Sequence, residues 1–575
     1  MLCLLALSEA STKSRVLVLV DPFTSYLSGK CTAYCKKNGI RVVETVSEYS
    51  CAALGAEGQI VPEELRAPNE GDEMEWASER GIVNGDDGEA DEKEGDEKEL
   101  VPNIDDVFVI AESDAGVPVA ERIQVRIGAA GNGHSPQLRD KCKQSDLCRQ
   151  RGLPVNKQVL ASSWKDAEYF LDETLWKPSK STSRVKGKRN KKMAQACVVK
   201  PNRGVASESV HFCTSKDEVK RAVTEILSSP VYGELRAKTQ AVLVQEFTPG
   251  GEEYAVDTVT CNGVTRVAAL WKYEKVKANG SPFIYQCSEL VDVECSNERD
   301  RSVRRKVVNY AVKALQAQGL KYGPCHVEVK VHPRTEEPRL MEINARWHAQ
   351  PFLPVVEKVL DVDAITLTME CFFDRSKFLM EARVAHNRDY PGKDGASGLN
   401  HAPSMKRGGG MIVHLVQRRG GTVRALRHVE QIEALPSVLS MSHDAEVGEY
   451  LAPTIDHRTH SGYVVLAHED EEQVKRDYAT ILELQTKLVE FMPSSSTSSS
   501  LKDNVKEEED GEGRKIQGPR ASPASRTSAP PPANALGRVV SKVRRAIFRA
   551  LCISGLAYTS LLTGILLLPE KDDTL

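Results

Sequence analysis

Residues 323–351 read GPCHVEVKVHPRTEEPRLMEINARWHAQP. Two β-rich runs flank a polar, turn-forming connection, His332 to Pro338. Successive side chains on a strand point to opposite faces. His326, Glu328 and Lys330 therefore share one face of the first strand, and Glu342, Asn344 and Arg346 share one face of the second. The short connection suits antiparallel pairing, which would lay the two polar rows side by side. Carboxylate and amide oxygens are the ligands Mg²⁺ takes, and that ion keeps waters and phosphate oxygens in its shell. Burying two carboxylates on one patch without a cation is costly, so a metal is the simplest compensation. Arg346 can neutralise charge on a transferring phosphoryl group. A solvated polar face is the plain alternative.

Two upstream stretches have the character of a nucleotide site. AQACVVKPNRGVASESVHFC, residues 194–213, reads as a strand ending at Lys200, a turn-forming loop and a second strand. A strand-end Lys beside a small-residue loop can reach phosphates while backbone N–H groups cover them. AVLVQEFTPGGEEYAVDTVTCNG, residues 241–263, carries an apolar run into Gln245, Glu246 and Phe247 and turns through Thr248–Gly251 into another strand. Such an edge suits an adenine and its ribose, and an ordinary hairpin fits it equally well.

Around this centre, VLVLV (16–20), IRVVETV (40–46) and VFVIAES (107–113) read as strands separated by helix-like segments, the alternation of a parallel sheet covered by helices. Between the second and third strands, residues 63–100 are Glu/Asp/Gly-rich, with acids outnumbering bases about four to one, and are expected to be a disordered insertion. A basic run at 179–193 contains no aromatic residues, which speaks for a solvated loop over a nucleic-acid surface. The net charge of −4 over 575 residues is too small to imply a polyanion partner, and the 14 scattered cysteines read as reduced, buried thiols.

Taken in order, these stretches resemble the ATP-grasp superfamily, especially its L-amino-acid ligase branch and carnosine-synthase-like relatives. The resemblance implies an α/β and α+β chain: a Rossmann-like pre-ATP-grasp domain at 14–137, an ATP-grasp domain at 138–375 and a small α+β C-terminal subdomain at 376–492. VFVIAESDAGVPVAERIQVRIGAAGNG (107–133) resembles the family's glycine-bearing turn and following helix. The resemblance assigns nucleotide contacts to Lys141, Lys200, Ser207, Glu246, Phe247 and Glu253, with Glu246 and Phe247 at the adenine hinge and Glu253 at the ribose. It assigns metal ligands to Glu328, Glu342 and Asn344, and stabilisation of the acyl-phosphate to Arg346. It implies ATP and two Mg²⁺ or Mn²⁺ ions, Glu342 bridging them, and an ATP-dependent carboxylate–amine ligase that forms a dipeptide or amino-acid amide, with monomer and homodimer both open. The loop NRGVASESV departs from the family in holding a single glycine, Gly204, with Glu208 near the expected phosphates. Two other classes stay open: a catalytically degenerate nucleotide-binding scaffold and a carboxylase-type enzyme using bicarbonate, although no biotinyl motif is present.

In the C-terminal part, GGGMIVHLVQRRGGTVRAL (408–426) reads as a hairpin and HSGYVVLAHEDEEQVKRDYATILELQTKLV (460–489) as a strand followed by a long helix. Residues 493–537 are Ser-, Pro- and charge-rich and read as a linker. An uncharged run, 550–568, follows the basic flank that starts at Arg538 and has the length of a membrane span. The expectation is a single C-terminal transmembrane anchor with the catalytic domains in the cytosol. An amphipathic surface helix is the rival.

Overall fold

The computed structural model describes residues 15–493 apart from 23, 56–60, 84–105, 178–195, 205–208, 230–238, 350, 362 and 390–407. The 179–193 basic run, Ser207, Glu208, the 494–537 segment and the 538–568 tail lie outside the described residues. Among the described residues, no helix is long and apolar enough to cross a membrane.

β1 (Arg15–Val20), β2 (Ile40–Thr45) and β3 (Val107–Ala111) form a parallel sheet in the order β2-β1-β3. Val16–Val20 of β1 and all of β3 are continuously apolar because both of their faces are covered, whereas the outer strand β2 carries Arg41 and Glu44. Val16, Val18 and Val20 point into one core with Ile123 and Ile127 of the helix Val117–Ile127. Leu17 and Leu19 point into another, with Leu27 and Cys31 of the helix Ser25–Lys37 and Phe372 of the helix Ala364–Phe373.

Part of the acidic insertion is folded. Residues 63–65 form a 3₁₀ turn and Glu73–Glu79 a helix. Trp76, Ala77, Ile82 and Val83 enter the Val16/Val18/Val20 core. Arg122 pairs with the buried Glu73 and donates to the Pro68 carbonyl at 2.6 Å. Trp76 and Ala77 anchor the helix while Glu75 and Glu79 stay on its exposed side, so the expected disorder is corrected for 63–83. Residues 84–100 lie outside the described set.

β4 (Gln158–Ala161), β5 (Cys197–Pro201), β6 (His211–Cys213) and β7 (Val242–Glu246) make an antiparallel sheet ordered β4-β7-β5-β6. The helices Trp164–Phe170 and Lys216–Leu227 pack on it. β8 (Glu253–Cys261), β9 (Val264–Ala278), β10 (Ser281–Leu290), β11 (Tyr322–Val331) and β12 (Pro338–Asn344) belong to a larger sheet. β7 and β8 thus do not pair as a hairpin; Phe247–Glu252 is the crossover between two sheets. Gly251 sits there at φ +78°, and a Cβ would run into the Val331 carbonyl oxygen, so the close approach of crossover and β11 depends on glycine.

The larger sheet continues through β13 (Gly409–His414), while β14 (Gly421–Leu426) leaves it; β15 (Val438–His443), β16 (Tyr450–Leu451), β17 (Gly462–His468) and β18 (Val489–Phe491) complete the strands. The order is β12-β11-β8-β9-β10-β13-β17-β15, and β16-β14-β18 form a separate small sheet. The 408–426 hairpin reading is therefore corrected: β13 pairs with β10 and β17, and β14 with β16 and β18. β17 and the helix Glu471–Leu484 match the strand-then-helix reading. Behind β8 and β11 runs the helix Glu298–Gln318, started by the Asn297 side chain and stopped by Gly319 in the left-handed region, its Val303, Val307, Ala311 and Ala314 buried.

Candidate active site

β11 and β12 pair antiparallel with His326 opposite Asn344 and Glu328 opposite Glu342. β8 lies on the other side of β11, with Glu253 opposite Lys330 and Asp257 opposite His326. One face of three adjacent strands is thus lined with charge. It borders a cleft of about 360 Å³ whose opposite wall comes from the β4–β7 sheet and whose end comes from β10 and β13.

Lys141, at the start of the helix Lys141–Gln150, reaches Glu342 at 2.8 Å and donates to the Gly204 carbonyl at 2.8 Å. Asn202 fixes that helix start by accepting from the Cys142 N–H at 2.9 Å. Lys200, at the end of β5, is buried in the same cleft. Burial and the neighbouring Lys141 charge push its ammonium down to about 8. Two converging lysines with the Gly204 backbone between them are a receptacle for anionic phosphate oxygens.

Burial and then the facing Glu342 carboxylate push the Glu328 carboxyl up to about 8. Burial acts the same way on Glu342, but the Lys141 charge and hydrogen bond overcome it and hold that carboxyl well below its usual range. The Asn344 amide nitrogen donates to Glu342 Oε1 at 3.1 Å and to His326 Nε2 at 2.9 Å, which turns its oxygen the other way. Two facing carboxylates, with an amide whose oxygen a half-turn about its last torsion would bring to them, can make an all-oxygen donor set for a hard cation. The resisted ionisation of Glu328 is the imbalance that a divalent ion relieves, so Glu328, Glu342 and Asn344 fit Mg²⁺ or Mn²⁺.

The remaining expected residues among those described lie on the same cleft. Glu246 faces Arg339 at 3.5 Å and accepts from the Lys157 N–H at 3.2 Å. Phe247 packs edge-on against Phe212, ring centroids 4.9 Å apart, and near Phe283. These aromatic walls, at the end of β7, suit a flat base; β7 itself is paired on both sides, by β4 and β5, so the expected strand edge is only its end. Glu253 is buried and engaged by Lys275, and by Lys330 at 3.6 Å; these charges outweigh the effect of burial and keep its carboxyl low. Arg346 is held by Asp114 at 2.6 Å and donates to the Trp347 carbonyl at 2.9 Å.

Several lining residues were missed by the sequence reasoning. Asp114 comes from the turn after β3, where the glycine-bearing turn was the only signal. Lys275, Tyr273 and Tyr285 come from β9 and β10, whose strands were not singled out. His348 lies within the 323–351 stretch, two residues beyond Arg346, but was not singled out. It contacts Asp257 at 2.9 Å through Nδ1 and Tyr273 at 3.0 Å through Nε2, and its ring stacks between His326 and Phe352. His414 and His457 line the far end of the cleft.

The family described as ATP-grasp domain matches residues 193–354, and the L-amino acid ligase C-terminal domain 2 matches residues 413–484. The chain carries an ATP-grasp domain followed by an L-amino acid ligase C-terminal domain. Dapdiamide A synthase from Enterobacter agglomerans is 24% identical over 290 residues, half of this chain. The match spans 61% of that relative's length. The crystal structure of an L-amino acid ligase from Bacillus licheniformis superimposes with a TM-score of 0.56 at 15% identity, over 84% of this chain and all of that one. N5-carboxyaminoimidazole synthase from Aspergillus clavatus, in complex with ADP and 5-aminoimidazole ribonucleotide, gives 0.50 at 12% identity over 83% of this chain and all of that one. At these identities the two structures report the ATP-grasp fold alone.

Proposed function

We propose that the chain is an ATP-dependent ligase that activates a carboxylate as an acyl-phosphate and transfers it to an amine, with an amino acid supplying at least one of the two. The supporting observation is the convergence of Lys141, Lys200, Glu328, Glu342, Asn344 and Arg346 on one cleft. Divalent cations held by Glu328, Glu342 and Asn344 would supply neutralisation of phosphate charge. Lys141 and Lys200 would hold the triphosphate from two sides. Arg346, oriented by Asp114, would meet the charge that develops on the acyl oxygen and the departing phosphate. Transfer of this kind rests on positioning and charge neutralisation, so no nucleophilic side chain is required.

The match to the L-amino acid ligase C-terminal domain and the likeness to dapdiamide A synthase support an amide or dipeptide product over the carboxylase reading. The degenerate-scaffold reading loses support because the whole charged set is present. The test is ATP-dependent phosphate release across pairs of amino acids and small amines. Release that requires both a carboxylate and an amine is expected. Release driven by bicarbonate alone, or none with any pair, overturns the reading. For the tail, we propose that 550–568 anchors the chain in a membrane with the catalytic part cytosolic; loss of the full-length chain from the carbonate-washed membrane pellet would overturn that.

A further inference from the structure

Three histidines lie together at the end of the cleft formed by the C-terminal domain. His414 closes β13; His457 and His460 sit on a single tight turn. One potential ligand atom from each lies within 4.8 Å of the others. The turn is fixed from several directions. Asp456 and Thr459 cap each other reciprocally. Thr454 donates to the Thr459 carbonyl at 3.0 Å, and Asn279 in the β9–β10 turn donates to the Thr454 carbonyl at 2.7 Å. The His460 ring donates a hydrogen bond to the Tyr285 backbone carbonyl, while its Nε2 is buried without a hydrogen-bond partner. A ring nitrogen tied to a backbone carbonyl, with the other left bare, is the arrangement that orients metal-ligating histidines. His414 and His460 are buried there while His457 is exposed, and a buried polar atom without a hydrogen bond, as at His460 Nε2, forfeits its hydration.

We propose that His414, His457 and His460 bind one divalent transition-metal ion of the zinc class, separate from the oxygen-ligand site at Glu328 and Glu342. Ligands at the usual zinc–nitrogen length sit about 3.4 Å apart in a tetrahedron, a modest ring adjustment from the spacing present. Imidazole donors select Zn²⁺ or its neighbours over Mg²⁺, so the two sites differ in kind as well as in place. Three protein ligands leave one position open. His414 and His457 border the substrate cleft beside Tyr285, so that position is accessible to a carboxylate or amine entering it.

The test uses the full-length chain, stripped with a chelator and returned to excess Mg²⁺. Zn²⁺ is titrated against a chromogenic chelator, and Co²⁺ absorption reports nitrogen ligation. The expected result is one tightly held Zn²⁺ per chain and a Co²⁺ spectrum with nitrogen ligands. His457→Ala, at an exposed position, should weaken binding by more than the roughly 10–100-fold that loss of an outer partner costs. His414→Ala should do the same, with circular dichroism checking its fold. Glu342→Gln should leave Zn²⁺ affinity unchanged. Equal Zn²⁺ affinity in the wild type and His457→Ala, or loss of Zn²⁺ in Glu342→Gln, overturns the proposal.

Discussion

β11 and β12 pair with one another across a polar turn, whereas β13 and β14, also joined by a short polar stretch, part company into different sheets. Their burial explains the contrast. β13 is buried at every position; it lies between β10 and β17 and is covered by the helices Phe352–Val359 and Glu471–Leu484. β14 buries Val423 alone and lies in the outer sheet with β16 and β18. A strand buried at every position needs cover on both faces, which β13 finds between two helices, and a strand with one buried residue, like β14, does not. β11 and β12 are intermediate: their core face is apolar, and the other face holds the charged cleft. Burial demands thus decide whether neighbouring strands in the chain become neighbouring strands in the sheet.

The contrast can be broken most severely at the catalytic pair. Glu342→Ala should lower phosphate release by at least about 1000-fold, since it removes charge organisation at the reacting centre, while far-UV circular dichroism stays unchanged. Retained turnover in the folded variant would mean that the β11–β12 face is merely a polar wall. Arg346→Lys should cost roughly 100-fold in kcat, because a point charge cannot reproduce the guanidinium's fork toward Asp114 and the acyl group; KM for ATP should move little.

The structural side of the comparison is tested with two glycines. At Gly410 in β13, a Cβ would run into Val355 on the buried helix, so Gly410→Ala should destabilise by about 1–3 kcal/mol through overpacking. At Gly421 in β14, the obstacle is the ring of Phe491 at 2.8 Å, on a half-exposed side chain that can move. Gly421→Ala should therefore cost less than about 1 kcal/mol, partly offset by the lower freedom of the unfolded chain. Thermal melts of the two variants give the comparison directly; equal losses would remove the distinction between central and peripheral strands.

The parts legible in the sequence are those in which local pattern and burial agree. VLVLV announces a buried parallel strand, and the alternation in CHVEVKV and RLMEINAR places Glu328, Glu342, Asn344 and Arg346 on one surface before any coordinates. The 241–263 segment leaves its pairing open and the 408–426 segment misleads toward a hairpin, because a glycine-containing turn between apolar runs has the same local chemistry in a hairpin and in a crossover. Which one forms depends on strands far away in the chain, β5 and β4 for β7, β10 and β17 for β13. Residues 63–83 were hidden for a different reason: Trp76, Ile82 and Val83 are too few to raise the hydropathy of an acidic segment, yet each fills a gap against β1. Lys275 and Tyr285 reach the cleft only through tertiary pairing, so nothing in their own neighbourhoods marked them, and Asp114 had only the glycine-bearing turn beside it as a signal.

β1 has a consequence for anyone wishing to cut this chain into pieces. Its odd and even residues serve separate cores, so the strand is a party wall between the N-terminal unit and the helices that support the ATP-grasp sheet. Phe108 stacks on Phe372 at 4.8 Å, and Leu17 and Leu19 share a cluster with Trp347, Leu353 and Phe378. A fragment begun at residue 138 would carry that apolar surface into water and invite aggregation. The smallest workable piece for crystallisation or directed evolution therefore starts no later than Arg15.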